Sequence, residues 1–123
     1  MDVNGLTEKI ISCAIAVHRE PGPGLLASVY EAALEIELND AGRHTTRQKE
    51  IPVRYKGIET GEHRLDMLVE NIVVIELKSV ERFDPLFQAQ LLGYLKPGGY
   101  PVGLLINFNS RVLKNGIKRM TIQ

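Results

Sequence analysis

Along the chain, apolar positions keep a helical period in three stretches and a strand-like pattern in five others. Leu6, Ile10, Cys13, Ala14 and Val17 share one side of a helix over residues 6–18, with Asn4 or Thr7 placed to cap its start. The run Glu20-Pro21-Gly22-Pro23-Gly24 breaks that helix. Val29, Ala32, Ala33 and Ile36 mark the inner face of a second helix, which begins at Leu25 or Ser28 and ends at Asp40, with Gly42 as its stop. Beyond Gly42 the period shortens. Residues 48–55 read as a strand carrying Pro52, and Lys56-Gly57 as a turn. Residues 63–69 alternate, with Leu65, Met67 and Val69 on one side and Arg64, Asp66 and Leu68 on the other. The unbroken apolar run within 72–78 predicts a central strand covered on both faces. Asp84-Pro85 opens a third helix as N-cap and first helical residue, and Pro97-Gly98-Gly99 closes it after Leu95 or Lys96. Residues 102–106 form another buried strand and 116–122 a short last one with a basic outer edge. The order ααβββαββ predicts an α/β fold of the α+β kind, a central mixed sheet flanked by helices.

A chain of 123 residues suits one domain with one core, spanning 1–123. It has no apolar run long enough to cross a bilayer, and its first residues lack the basic start and apolar stretch of a signal peptide, so the expected location is cytoplasmic. The single Cys13 makes neither an internal disulfide nor a zinc site and reads as core packing. His18, His44 and His63 have no ligand-like spacing and are expected in solvent or in caps. Fifteen basic and fifteen acidic residues cancel, which argues against a dedicated, tight nucleic-acid binder. Affinity for a phosphate backbone would then come from uneven charge or from a bound metal.

The apolar strand ends on Glu76-Leu77-Lys78. Two residues apart, Glu76 and Lys78 point to the same face. Charges on a buried strand are costly unless paired or bound to a metal. A second acid, Asp66, lies on the preceding strand. A two-residue turn at Glu70-Asn71 would set Asp66 opposite Ile75 and turn the carboxylates to opposite sides. A three-residue connection through Ile72 with Asn71 at positive φ, or a bulge, would set Asp66 opposite Glu76, and a shared site requires one of these. Two carboxylates and a lysine on one face can hold a hard divalent cation with a water beside it. The plainer reading of Glu76 and Lys78 is an exposed ion pair at a strand end.

Asp66, nine further residues and then Glu76-Leu77-Lys78 resembles the D…(D/E)xK signature of the PD-(D/E)XK nuclease superfamily. Gly22-Pro23-Gly24-Leu25-Leu26-Ala27-Ser28-Val29-Tyr30 is similar to the motif that names the GxxExxY proteins, a small prokaryotic branch of that superfamily. Residues 51–57, Arg64-Leu65-Asp66, Ala89-Gln90-Leu91-Leu92-Gly93-Tyr94-Leu95 and 102–108 also resemble that branch, in its order, so the resemblance covers nearly the whole chain. It implies a restriction-endonuclease-like core and a metal-dependent phosphodiesterase. By that resemblance Asp66 and Glu76, with the carbonyl of Leu77, would bind Mg²⁺ or Mn²⁺. Lys78 would orient or help deprotonate a water and offset transition-state charge. Gln90 and Tyr94 share a helix face and are similar to the Q-xxx-Y motif of RecB-like exonucleases, which lies beside the active site. Arg64 would neutralise Asp66 or touch a phosphate. Tyr30 is a candidate substrate contact or an ordinary core aromatic. The implied partner is nucleic acid, DNA in preference to RNA, with no membrane. A chain this small also suits a homodimer or a larger protein partner.

Two positions depart from the family pattern. Ala27 stands where the motif has Glu, and Phe87 stands where relatives often carry His. Both remove polar groups near the expected site. Glu31, one helical turn beyond Ala27, is the nearest replacement. Two functions follow: a Mg²⁺-dependent nuclease, or a nuclease-fold protein that has lost catalysis and serves as a nucleic-acid-binding or protein-interaction module. Arg43, Arg47, Lys49, Lys114, Lys118 and Arg119 would form a DNA-facing rim in the first case and a solvated surface otherwise.

Overall fold

The structure, a computed structural model, describes residues 2–122. Its elements appear in the expected order: α1 (Val3–Arg19), α2 (Ala27–Asp40), β1 (Thr45–Tyr55), β2 (Ile58–Val69), β3 (Val73–Lys78), α3 (Pro85–Gly98), β4 (Val102–Asn107) and β5 (Ile117–Thr121). A 3₁₀ turn, Leu113–Gly116, precedes β5. The strands form one sheet in the order β1-β2-β3-β4-β5. All neighbours are antiparallel except β3 and β4, which run parallel and are connected through α3.

The sheet divides two apolar layers. On one face Leu6, Ile10, Val17, Leu34 and Leu38 of α1 and α2 pack on Met67, Val69, Ile75, Leu104 and Ile106. On the other, Leu91 and Leu95 of α3 pack on Leu68, Val74 and Leu105. Both faces of β3 and β4 are therefore covered, as their unbroken hydrophobicity predicts. Each aliphatic side chain buried this way contributes about 1.5–3 kcal/mol.

Several local expectations are corrected. The cap of α1 is Asp2, whose Oδ1 accepts from the Asn4 N–H at 3.1 Å, and not Asn4 or Thr7. The inner face of α2 is Tyr30, Glu31, Leu34 and Leu38, while Val29 and Ile36 are exposed. α2 carries apolar residues on two sides, and the row with the greater volume takes the core. Its end follows expectation: Gly42 has φ 76°, and the Arg43 N–H reaches back to the Leu38 carbonyl at 2.9 Å. β1 and β2 are longer than their alternation indicates, because Lys56 and Gly57, both at positive φ, close a tight hairpin whose outer residues are solvated. α3 runs through Pro97 and ends at Gly99, φ 69°.

The connection from β2 to β3 decides whether a site exists. Glu70 (φ 54°) and Asn71 (φ 56°) lie between Val69 and Ile72, and the Ile72 N–H returns to the Val69 carbonyl at 2.9 Å. With three residues in the connection, Val69 pairs with Val73 and Met67 with Ile75. One residue further along that register, Asp66 meets Glu76.

Candidate active site

Asp66 and Glu76 are locked together by backbone hydrogen bonds. The Leu77 N–H donates to Asp66 Oδ2 at 2.9 Å, and the Asp66 N–H donates to Glu76 Oε1 at 3.3 Å. Glu76 is buried and Asp66 half-buried. Burial, then the charge of Asp66, pushes the Glu76 carboxyl up to about 8. Near neutral pH the bare pair therefore keeps a proton on Glu76. This is the signature of two acids with no positive group between them, and it fits a cation site. Among the described residues no cluster of three or more His, Cys, Asp or Glu side chains gathers. A cation here would have two carboxylates and otherwise backbone carbonyl, water or substrate oxygens, a set suited to Mg²⁺.

Asp66 also marks a break in β2. Leu65 packs in the α3 layer with Leu68, whereas Met67 faces α1 and α2, so Leu65, Met67 and Val69 do not share a side. The cause lies on β1. Arg47 pairs with Met67 and Lys49 with Leu65, but Gln48 between them has φ 54° and leaves the ladder opposite Asp66. Gln48 Nε2 donates to both oxygens of Glu31, at 3.0 and 3.2 Å. Glu31 is buried and also takes Arg47, at 2.8 Å. That carboxylate is thus committed to β1.

Lys78 follows Glu76 on the same face. Its Nζ lies 4.5 Å from the centre of the Phe87 ring on α3. The aromatic ring of Phe87 thus receives the ammonium group. Tyr94, two turns along α3, packs on His63 with ring centres 4.3 Å apart. Burial, followed by the charges of Glu76 and Asp66, raises the Tyr94 phenol, so α3 borders the acid pair. Gln90 is exposed on the turn between Phe87 and Tyr94.

Two candidates lie elsewhere. Arg64 is paired with its cross-strand neighbour Glu50, Nη2 to Oε1 2.8 Å, and both are exposed. With Leu65 turned towards α3, Arg64 points away from that layer and from the Asp66 carboxylate. Tyr30 is only 1% exposed, so its hydroxyl does not face a substrate groove. It donates to the Gly22 carbonyl at 2.6 Å and accepts from the Leu25 N–H at 3.1 Å, while its ring stacks on Phe108 at 4.6 Å. Tyr30 shapes the loop before α2. His18 is likewise buried and meets the Ser110 carbonyl at 2.8 Å, against the expectation of a solvated histidine.

The sequence reading missed the groups that hold the strand beyond Lys78. Asn107 ends β4 opposite Lys78. Its Oδ1 accepts from the Val80 and Asn109 N–H groups, each at 3.1 Å, and its Nδ2 donates to the Val80 carbonyl at 2.9 Å. The Phe108 N–H takes the Lys78 carbonyl at 2.8 Å, and the Ser79 hydroxyl donates to the Leu25 carbonyl at 2.5 Å. A polar residue closing an apolar strand is the signal that singled out Glu76, and it applied equally to Asn107. Asn107→Ala leaves the part-buried Val80 and Asn109 N–H groups without this acceptor, while the Val80 carbonyl keeps Asn109 Nδ2 at 3.3 Å, and is expected to cost about 1–3 kcal/mol, measured by urea denaturation against wild type.

Comparison with known proteins agrees with this geometry. The sequence pattern of the PD-(D/E)XK nuclease superfamily matches residues 4–120. The chain belongs to that superfamily. No curated protein and no solved structure matches the chain. Membership accounts for the mixed sheet with helices on both faces. No helix among the described residues is long and apolar enough to cross a membrane.

Proposed function

We propose that the protein is a metal-dependent nuclease of the GxxExxY branch, hydrolysing phosphodiester bonds of nucleic acid, DNA in preference to RNA. The observation that carries this reading is the register of the β2–β3 hairpin, which sets Asp66 against Glu76 with Lys78 next on the same face. Bound there, Mg²⁺ or Mn²⁺ would polarise the phosphate and acidify a water. Asp66 and Glu76 hold the cation, with the Leu77 carbonyl as the backbone candidate. Lys78 orients the water and offsets charge gathering on the phosphoryl oxygens. Gln90 and Tyr94, on the α3 turns bordering the acids, contact the strand being cut. Arg64 and Tyr30, placed elsewhere by their partners, are left out of this assignment.

The test is cleavage of single- and double-stranded DNA and RNA with Mn²⁺ by wild type, Asp66→Ala and Lys78→Ala. Cleavage by the wild type alone supports the reading. Equal cleavage by all three identifies a contaminant and removes it.

One feature favours a weakened or silent site. Ala27, at the start of α2, offers no oxygen, and Glu31 is held by Arg47 and Gln48. If the site is merely weakened, Ala27→Glu raises cleavage. If the protein is a binding module, Ala27→Glu leaves it inactive, while nucleic-acid binding, read by fluorescence anisotropy, persists without metal.

A further inference from the structure

The β1–β2 hairpin reaches further than the core requires. Ile51 and Leu65 still pack in the α3 layer, but towards the Lys56-Gly57 turn the two strands run into solvent, with Tyr55 65% and Ile58 69% exposed. Residues paired across an antiparallel ladder share a face. The register sets Lys49 opposite Leu65, Ile51 opposite His63 and Tyr55 opposite Ile58. The shift at Val53/Arg54 takes up its extra residue, Thr60, on β2, so β1 keeps its alternation to Tyr55. Lys49, Ile51, Val53, Tyr55, Ile58 and His63 therefore form one strip on the α3 side. His63 packs on Tyr94, ring centres 4.3 Å apart, so the strip begins at the border of the acid pair. Ile58 lies eight residues from Asp66 along β2, about 25 Å away.

Charge divides the hairpin. Glu50 pairs with Arg64, Glu62 with Pro52 and Glu59 with Arg54, so every carboxylate between Lys49 and His63 turns to the opposite face. There Glu50, and more weakly Glu59, raises the Glu62 carboxyl, and Glu50 holds Arg64 at 2.8 Å. The α3 side of the hairpin carries no acid, and α3 itself has none from Pro85 to Gly98. A polyanion laid along this side meets no carboxylate until it reaches Asp66 and Glu76, where a cation would sit. At the tip, Lys56 Nζ lies 5.6 Å from the centre of the Tyr55 ring. An ammonium group beside an exposed aromatic suits a phosphate and its neighbouring base. Two lysines, Lys49 and Lys56, are too few to grip a duplex, whose binding comes mainly from phosphate contacts. A duplex also hides its base faces, whereas an unpaired strand offers them to Tyr55.

We propose that the β1–β2 hairpin is an arm that holds an unpaired nucleic-acid strand, a base stacked on Tyr55 beside Ile58 and the backbone led by Lys56 and Lys49 towards the acid pair. The inference rests on nucleic acid as the substrate of that pair and names its single-stranded form.

Fluorescence anisotropy of the full chain with a labelled oligothymidylate of about fifteen nucleotides, in EDTA, reads binding without cleavage, and far-UV circular dichroism checks folding. The wild type is expected to bind with Kd of roughly 1–100 µM at low salt, log K falling against log salt with a slope of about −1.4 for two phosphate contacts. The matching duplex should bind about 10-fold more weakly. Tyr55→Ala is expected to weaken single-strand binding about 10-fold, while Tyr55→Phe keeps it. Ile58→Glu, which puts a carboxylate on the acid-free face, weakens it as well, and Arg54→Ala, on the opposite face, leaves it unchanged. A wild type that binds no oligonucleotide overturns the proposal, including one whose hairpin tip proves to take a protein. So does equal binding of the duplex, or a Tyr55→Ala that binds as tightly as wild type. Because no metal is present, a protein that binds in this way yet never cleaves ends the nuclease reading and leaves the arm standing. Cleavage by a protein whose binding Tyr55→Ala does not disturb ends the arm alone.

Discussion

Lys78→Ala is expected to lower metal-dependent cleavage by about two to three orders of magnitude, the usual cost of removing one group aimed at developing transition-state charge. The rest of the site should survive. Lys78 ends β3, where the Phe108 N–H holds its carbonyl and Asn107 holds the following turn, so its backbone does not depend on the side chain. The acids are tied to each other through the backbone of residues 66 and 77. Cation binding by Lys78→Ala should therefore remain close to wild type, read as Mn²⁺ broadening of the amide signals of Asp66 and Leu77. Asp66→Ala should lose both binding and cleavage. Lys78→Met, which keeps the aliphatic stem against Phe87, should be as inactive as alanine but better folded. Full cleavage by Lys78→Ala would show that the ammonium group takes no part in the chemistry.

The second large effect is on stability. In the metal-free protein the Glu76 carboxyl titrates near 8 instead of its ordinary 4.5, because burial and the neighbouring Asp66 disfavour its charge. The folded state therefore holds a proton that the unfolded chain releases. Stability is fully present below about pH 4.5 and falls as pH rises towards 8, where the folded protein must also give up that proton. The span corresponds to a loss on the order of 3–5 kcal/mol, a large fraction of what a chain of this size commands. Glu76→Gln removes the titration. Its metal-free unfolding free energy should be nearly flat from pH 5 to 8 and exceed the wild type's at pH 8. A wild type equally stable at pH 5 and pH 8, by urea titration without metal, contradicts the burial argument. A divalent cation should also reverse the trend in the wild type. It competes with the proton, so Mg²⁺ should raise the melting temperature more at pH 8 than at pH 6.

Much of this molecule was legible in its pattern of residues. Element order followed from local signals: the Pro-Gly run at 21–24, Asp84-Pro85, Gly42, and the unbroken apolar stretches of β3 and β4. Glu76 and Lys78 of the candidate site stood out for the same reason, since a charge at the end of a buried strand is energetically anomalous wherever the strand goes. Pairing of strands was a different matter. Whether Asp66 meets Glu76 or faces away turned on one residue in the connection, and the two positive φ values at Glu70 and Asn71 are properties of the folded hairpin. The break in alternation at Asp66 depends on Gln48, held by Glu31 from another element. The wrong face of α2 was favoured because both sides are apolar, and only the volume of Tyr30, Leu34 and Leu38 against the sheet decides between them. Arg64 and Tyr30 look available in a linear reading, until Glu50 and the Gly22–Leu25 loop occupy them. The sequence by itself determined which segments become helix or strand and which residues are candidates for the chemistry, because burial and periodicity are local costs. The tertiary structure alone decided which of those residues meet, because register, helix facing and hydrogen-bond partnership arise between segments far apart in the chain.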